Sequence, residues 1–265
     1  MHETVPSAPS NPIPVKGINL TDAWLDLSYI TNGFHPIDSR RNEEVREYLL
    51  LRIGEILEKN EVDYKTIKTE PEYSGIRSVK KHGPKAVTVF DDRLSNITFV
   101  DDFRREPWSC YFEGTNFFVY IRGQDDPEGD WWYNGGKYSG QSGVLVNAHY
   151  DSVASGYGAT DDGVGVITIL QLISYFTTDG NQPKRGIVAL LNNGEENGLY
   201  GAHNYLRHPI SQFTHTFLNL EGAGAGGKAM LFRSTDAEVT KFYAQSSRPF
   251  GTVVSEDGFK RGLIR

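Results

Sequence analysis

Cysteine is nearly missing: Cys110 is the only one in 265 residues, which excludes an internal disulfide framework and a thiolate metal cluster. A single thiol is also a poor candidate nucleophile, and a buried apolar side chain is the simpler reading of Cys110. Long apolar runs are missing too. The longest, residues 164–176, falls short of the roughly 20 residues that a membrane span requires. Residues 1–16, rich in Pro and Ser, resemble neither a signal peptide nor an anchor, so the chain reads as soluble, with no membrane contact of its own. Basic residues are in deficit, 27 Lys and Arg against 34 Asp and Glu for a formal charge of −7. Such a surface repels phosphates and argues against a nucleic-acid partner. Neither G-x-S-x-G nor H-E-x-x-H occurs, which sets aside serine hydrolases and the single-zinc proteases built on that helix motif.

What is present is a 38% hydrophobic chain, enough for a sizeable core. We read a polar flexible tail over 1–20 and one globular domain over 21–265. Residues 23–37 lead to Asp38 and Ser39, where Val45, Leu49, Ile53 and Leu57 repeat every four residues and predict an amphipathic helix. Residues 86–90 and 116–121 read as strands, 80–85 as a basic solvated turn, and 131–142 as an aromatic-rich hairpin. From residue 143 the pattern changes. Segments 144–148, 187–191 and 216–220 are apolar on both faces, and helical stretches at 163–176 and 198–206 separate them. That alternation predicts an α/β three-layer sandwich with a mostly parallel mixed central sheet flanked by helices.

Each of these strands runs into residues able to bind metal: His149 and Asp151 after the first, Glu195 and Glu196 after the second, Glu221 after the third. Sites in open α/β sheets form at the carboxyl ends of strands. The loop Gly158-Ala159-Thr160-Asp161-Asp162-Gly163 brings further carboxylates to the same edge. So many acids in one crevice need a cation, and imidazole with carboxylates suits zinc. Asp151, two residues past His149, is placed to orient the imidazole rather than to bind metal. Of the neighbours Glu195 and Glu196, one can ligate while the other stands over a bound water. Two glycosylation triplets begin at Asn19 and Asn96.

Asn147-Ala148-His149-Tyr150-Asp151, the Asp161 loop, Asn193-Gly194-Glu195-Glu196-Asn197-Gly198 and Asn219-Leu220-Glu221-Gly222 together resemble the co-catalytic two-zinc aminopeptidase family, and within it a fungal vacuolar branch. The resemblance runs from about residue 23 to the end. It implies a zinc peptidase domain over 21–265 with its metal-binding core at 143–227. It further implies two Zn2+ per site, with His149 and Glu221 each on one metal, Asp161 bridging, Glu196 completing the set and Glu195 as general base; Asp162 would be a neighbour. The implied substrate is a peptide cleaved at its N-terminal end. The implied location is the lumenal side of the vacuole membrane, with membrane anchoring in full-length relatives. The family's last ligand is a histidine well downstream of the acidic one. None of His203, His208 and His215 falls there, so the domain is expected to be incomplete at its C-terminal end.

Three other readings compete. A catalytically inactive binding ectodomain on the same fold, as in the transferrin-receptor branch, would account for the missing histidine. A zinc amidohydrolase or cyclotransferase would use the same metals on a small amide. Gly222-Ala223-Gly224-Ala225-Gly226-Gly227 formally fits a dinucleotide-binding turn, but residues 228–232 read as a strand where that motif requires a helix.

Overall fold

The four-residue repeat of Val45, Leu49, Ile53 and Leu57 lies along α2 (Arg40–Lys59), and Ser39 caps the helix by accepting the N–H of Asn42 at 3.1 Å. All four side chains are buried, each contributing roughly 1.5–3 kcal/mol relative to exposure. This computed structural model describes residues 7–69, 86–101, 106–132, 138, 142–222, 226–252 and 254–263. The basic turn at 80–85 and most of the hairpin expected at 131–142 lie outside the described residues, as do residues 223–225 of the glycine run.

Before α2 comes α1 (Leu20–Ile30), an element that the apolar spacing does not announce. Its N-cap is Asn19, whose side-chain oxygen accepts from the N–H groups of Thr21 and Asp22. The strands β1 (Tyr64–Thr69), β2 (Val87–Asp92), β3 (Ile97–Asp101), β4 (Trp108–Phe112), β5 (Phe117–Ile121) and β6 (Gly143–His149) follow. Then come α3 (Val164–Thr177), β7 (Ile187–Asn192), α4 (Tyr200–Tyr205) and β8 (Thr214–Asn219).

Six strands form one sheet in the order β1-β2-β5-β7-β6-β8, while β3 and β4 pair separately. In the six-stranded sheet β5 is antiparallel to both of its neighbours and the other pairings are parallel, while β3 and β4 pair antiparallel. The central strands alternate between two cores. Phe117, Val119, Ala189 and Leu191 join the aliphatic residues of α2 and α3 on one face. Phe118, Tyr120, Val188 and Leu190 meet Trp132, Tyr205, Ile210 and Phe213 on the other. The result is a mixed sheet between helical layers, as the sequence predicts.

Two sequence readings are corrected here. The apolar pattern predicts a buried third strand over 216–220. It is instead β8, an edge strand pairing only with β6 among the described residues, with Phe217 and Leu218 exposed. An edge strand can carry apolar side chains without covering them, so apolarity alone overstates its burial. Residues 11–20, which composition marks as tail, are also anchored: the N–H of Asn19 donates to Gln171 Oε1 at 2.7 Å, and Lys16 Nζ to the Asp179 carbonyl at 3.2 Å.

The chain groups into two compact units, residues 11–224 and residues 225–265 with the first ten. The second holds α5 (Ala237–Tyr243) and α6 (Val254–Lys260). The strand expected at 228–232 does not form: Leu231 makes one isolated bridge, to Gly251. An extended segment needs a neighbour along its length, and here it finds one at a single residue. Among the described residues after Gly222 no helix opens before Ala237 either, which removes the structural context for a dinucleotide-binding turn. Among the described residues no helix is long and apolar enough to cross a membrane.

Candidate metal centre

The carboxyl ends of three parallel strands lie side by side, with His149 of β6 opposite Asn192 of β7 and Asn147 of β6 opposite Asn219 of β8. The turns leaving these ends carry Asp151, Glu195 with Glu196, and Glu221. Asp161 arrives from the loop before α3, whose Asp161–Asp162 peptide bond is cis. The separation of these residues in sequence is thereby cancelled by the sheet.

His149 is the centre of the group and is buried. Its Nε2 faces Asp161 Oδ1 at 3.1 Å, Glu221 Oε1 at 3.4 Å and Glu195 Oε2 at 3.9 Å. Its Nδ1 faces the carbonyl of Asp151 at 2.9 Å and a carboxylate oxygen of the same residue at 3.4 Å. A donor on Nδ1 leaves Nε2 as the lone-pair side, which fixes the tautomer needed for metal binding. One ligand atom each from His149, Asp161 and Glu221 lie within 4.8 Å of one another.

The electrostatics call for a cation. Asp151, Asp161, Glu195 and Glu221 face one imidazole, with Asp162 and Glu196 close by in the chain, and among the described residues no Lys or Arg forms an ion pair with any of the six. Burial pushes the Glu195 carboxyl up to about 7, opposed by His149 and reinforced by Glu221, Glu196 and Asp151. Burial likewise raises Asp162 to about 8, and burial followed by the charge of Asp161 raises Glu196. For His149, burial favours the neutral ring, but hydrogen bonds to Asp151, Asp161 and Glu221 outweigh it and raise its pKa. Glu196 Oε1 is buried without a hydrogen-bond partner, an arrangement that is unfavourable unless something else satisfies it. An imidazole, several carboxylates and an orphaned carboxylate oxygen together fit a divalent cation such as zinc.

Not every expected residue joins the tight group. Glu196 lies outside the three-donor cluster, although it feels the charge of Asp161. Asp162 turns away into the fold, accepting from the backbone N–H groups of His149 at 3.2 Å and Gly165 at 3.1 Å. His203 is exposed, His208 packs edge-on against Phe90 and Phe118, and His215 is on β8. Asn96 accepts from the N–H of Gly114. One role is absent from the sequence reading. Asp151 uses both carboxylate oxygens to accept from the backbone of Glu195 at 3.2 Å and Glu196 at 3.3 Å. The spacing of His149 and Asp151 is visible in the sequence, but nothing local says that the same carboxylate also grips a turn more than forty residues away. Gly222 is a second such case: a Cβ there would run into the carbonyl of Thr160, so the chain after Glu221 lies directly on the Asp161 loop.

The sheet and the acid-rich cluster at its carboxyl ends define an α/β protein with a candidate metal centre. Residues 133–265 match the model of peptidase family M28, and the chain belongs to that family. It is 50% identical over 305 aligned positions to a vacuolar membrane protease of Sclerotinia sclerotiorum, an alignment covering all of this chain and 28% of the relative. The chain thus spans little more than a quarter of the length of that curated relative. Among solved structures, the fold is shared with the LapA aminopeptidase of Legionella pneumophila, at a TM-score of 0.53 and 15% identity over 85% of this chain and 50% of that one. It is shared also with a glutaminyl cyclase of Porphyromonas gingivalis, at 0.51 and 14% over 87% and 67%.

Proposed function

We propose that this chain is the metal-binding part of a two-zinc exopeptidase of the aminopeptidase type. The observation that carries the reading is the meeting of His149, Asp161 and Glu221 ligand atoms within 4.8 Å, with the Glu195 carboxylate beside them. His149, Asp161, Glu196 and Glu221 would hold the metals. When bound, zinc supplies a Lewis acid that polarises a carbonyl and lowers the pKa of water. Glu195 takes the proton of the attacking water and delivers it to the leaving amine. Asp151 holds both the imidazole and the Glu195–Glu196 turn in place. The free α-amine of a peptide would bind at one metal and the nearby carboxylates, which favours cleavage at the N-terminal bond.

The relatives' name supports a place at the vacuole membrane, and we assign this domain to the lumenal side, where Asn19 and Asn96 would be open to glycosylation. We keep 21–265 as the peptidase domain.

The test is elemental analysis for zinc on the purified chain, together with hydrolysis of an aminoacyl p-nitroanilide and of its N-acetylated form. The reading expects zinc on this chain and, in a version extended through the family's downstream histidine, two zincs with hydrolysis of the free-amine substrate only. Zinc without hydrolysis of either substrate by the extended version points instead to a binding ectodomain, and no zinc at all removes the proposal.

A further inference from the structure

Helix α2 reaches the candidate centre through one buried amide. Asn42 Nδ2 donates to Asn193 Oδ1 at 3.1 Å and to the carbonyl of His35 at 3.2 Å, and Asn42 Oδ1 accepts from Asn193 Nδ2 at 3.0 Å. The two amides are therefore joined reciprocally, and both are buried. Asn193 is held further: its Nδ2 also donates to Thr115 Oγ1 at 2.7 Å, and its backbone N–H donates to Asn116 Oδ1 at 3.2 Å.

Both partners of Asn42 lead into the site. Asn193 is two residues before Glu195, and the intervening Gly194 has φ +79° with Ile37 and Phe112 packed where a Cβ would lie, so the turn is set tightly from its first residue. The carbonyl of His35 also accepts the N–H of Ser152 at 3.2 Å, and the N–H of His35 donates to Ser152 Oγ at 3.0 Å. Ser152 follows Asp151 directly. One side chain on α2 thus fastens the turn bearing Glu195 and, through His35, the turn bearing Asp151. A reciprocal amide pair closes in a single relative geometry, and buried amides left unsatisfied are unfavourable.

We propose that Asn42 is a positioning residue for this centre: acting through Asn193 and His35, it sets the Glu195–Glu196 turn against the His149–Asp151 turn. None of its hydrogen bonds goes to a ligand residue, so it acts only through the placement of the two turns. The effect on turnover rests on Glu195 being the general base, as proposed above.

The test compares Asn42→Ala and Asn42→Asp with the unaltered chain, all zinc-loaded and in the extended version. Asn42→Asp keeps the side-chain volume while removing both donated bonds, so it reports on the hydrogen bonds even where Ala leaves a void. Backbone amide hydrogen exchange is followed at residues 193–198 and 151–153, with β7 and α3 as internal references. Exchange in both turns should quicken by about tenfold or more while the references hold. With zinc held at saturation, zinc content should stay constant, KM should stay within about twofold, and kcat should fall by about tenfold, since misplacing a catalytic group by an ångström can lower rates by roughly a hundredfold. Unchanged exchange in the two turns overturns the proposal, and so does a loss of kcat explained wholly by lost zinc. If the unaltered extended version binds zinc but hydrolyses nothing, the reading of Glu195 as base falls, and the exchange data alone decide the role of Asn42.

Discussion

Asp151 accepts the backbone N–H of Glu195 at 3.2 Å while its own carbonyl faces the imidazole of His149 at 2.9 Å. One buried residue therefore orients the imidazole proposed to bind metal and the turn that carries the proposed base. Asp151→Asn preserves the shape but leaves only one oxygen to accept from two N–H groups. Zinc affinity should fall about 10–100-fold, as is usual when a group supporting a metal ligand is lost. A competition titration with a chromophoric chelator measures it, and an unchanged Kd would show that the carboxylate is dispensable.

Glu195 and Glu221 should separate cleanly. Glu195→Gln retains the zinc content of the parent and lowers kcat by about 10²–10⁴-fold, the range of a lost acid–base group. Glu221→Ala lowers the zinc content itself, read by elemental analysis after gel filtration. Near-normal rates in the Gln variant would remove Glu195 from the mechanism.

Gly222→Ala drives a methyl group into the carbonyl of Thr160. The Asp161 loop and the segment after Glu221 must move apart, which should destabilise the chain by about 1–3 kcal/mol and weaken zinc binding at the same time. Urea denaturation of the metal-free and metal-loaded variant distinguishes the two effects. An equal loss in both forms would show that zinc affinity is unchanged and the ligands themselves are not displaced.

Metal removal should be visible in stability. Zinc at a hundred times its Kd adds about 2.7 kcal/mol to a folded state that alone binds it. Adding a strong chelator should lower the melting temperature measured by circular dichroism, and restoring zinc should recover it; magnesium, which prefers octahedral oxygen ligands, should not.

The sheet is legible in the sequence because β6 and β7 are continuous apolar runs ended by polar residues, and the helix α2 because its apolar spacing and Ser39 cap agree. The candidate residues His149, Glu195 and Glu221 are legible as types standing at or just beyond strand ends, and the parallel sheet brings them together, whereas Asp161 arrives from the loop before α3. The helix α1 is a miss, although Asn19 followed by Asp22 is a capping signal; the triplet at Asn19 reads first as a glycosylation site and hides it. The bonds from Asn42 to Asn193 and from Asp151 to Glu196 join parts of the chain 151 and 45 residues apart. Such polar contacts carry no periodicity and no local signature, so only the folded chain shows them.

His208 offers a test of acid sensitivity away from the metal centre. Its Nδ1 accepts the N–H of Ile210 at 3.2 Å, and burial lowers its pKa, opposed by the charge of Asp92. The native state thus prefers the neutral ring, whereas the unfolded chain takes up a proton near pH 6.5. Between that pH and the lower native pKa the unfolded state binds more protons, so this contribution to stability is full above about pH 6.5 and shrinks as the pH falls. An asparagine side chain at this position would still offer an acceptor to Ile210 but would not titrate. The stability gap between the parent and His208→Asn, measured by urea denaturation, should therefore narrow from pH 7.5 to 5.5; a constant gap would show that the ring does not titrate in this window.

The reversed direction of β5 divides the surface loops into two kinds for anyone wishing to re-engineer the protein. Because β5 runs against β7, the segment entering it, at Thr115 and Asn116, lies beside Asn193, while the segment leaving it turns at Gly123 and Asp126 beside Gly186. Lengthening the first would intrude on the chemistry, whereas the turn around residues 124–129 sits at the opposite end of the strands. That remote turn is where an affinity tag, a fluorophore or an inserted module can be grafted with the candidate metal centre left alone.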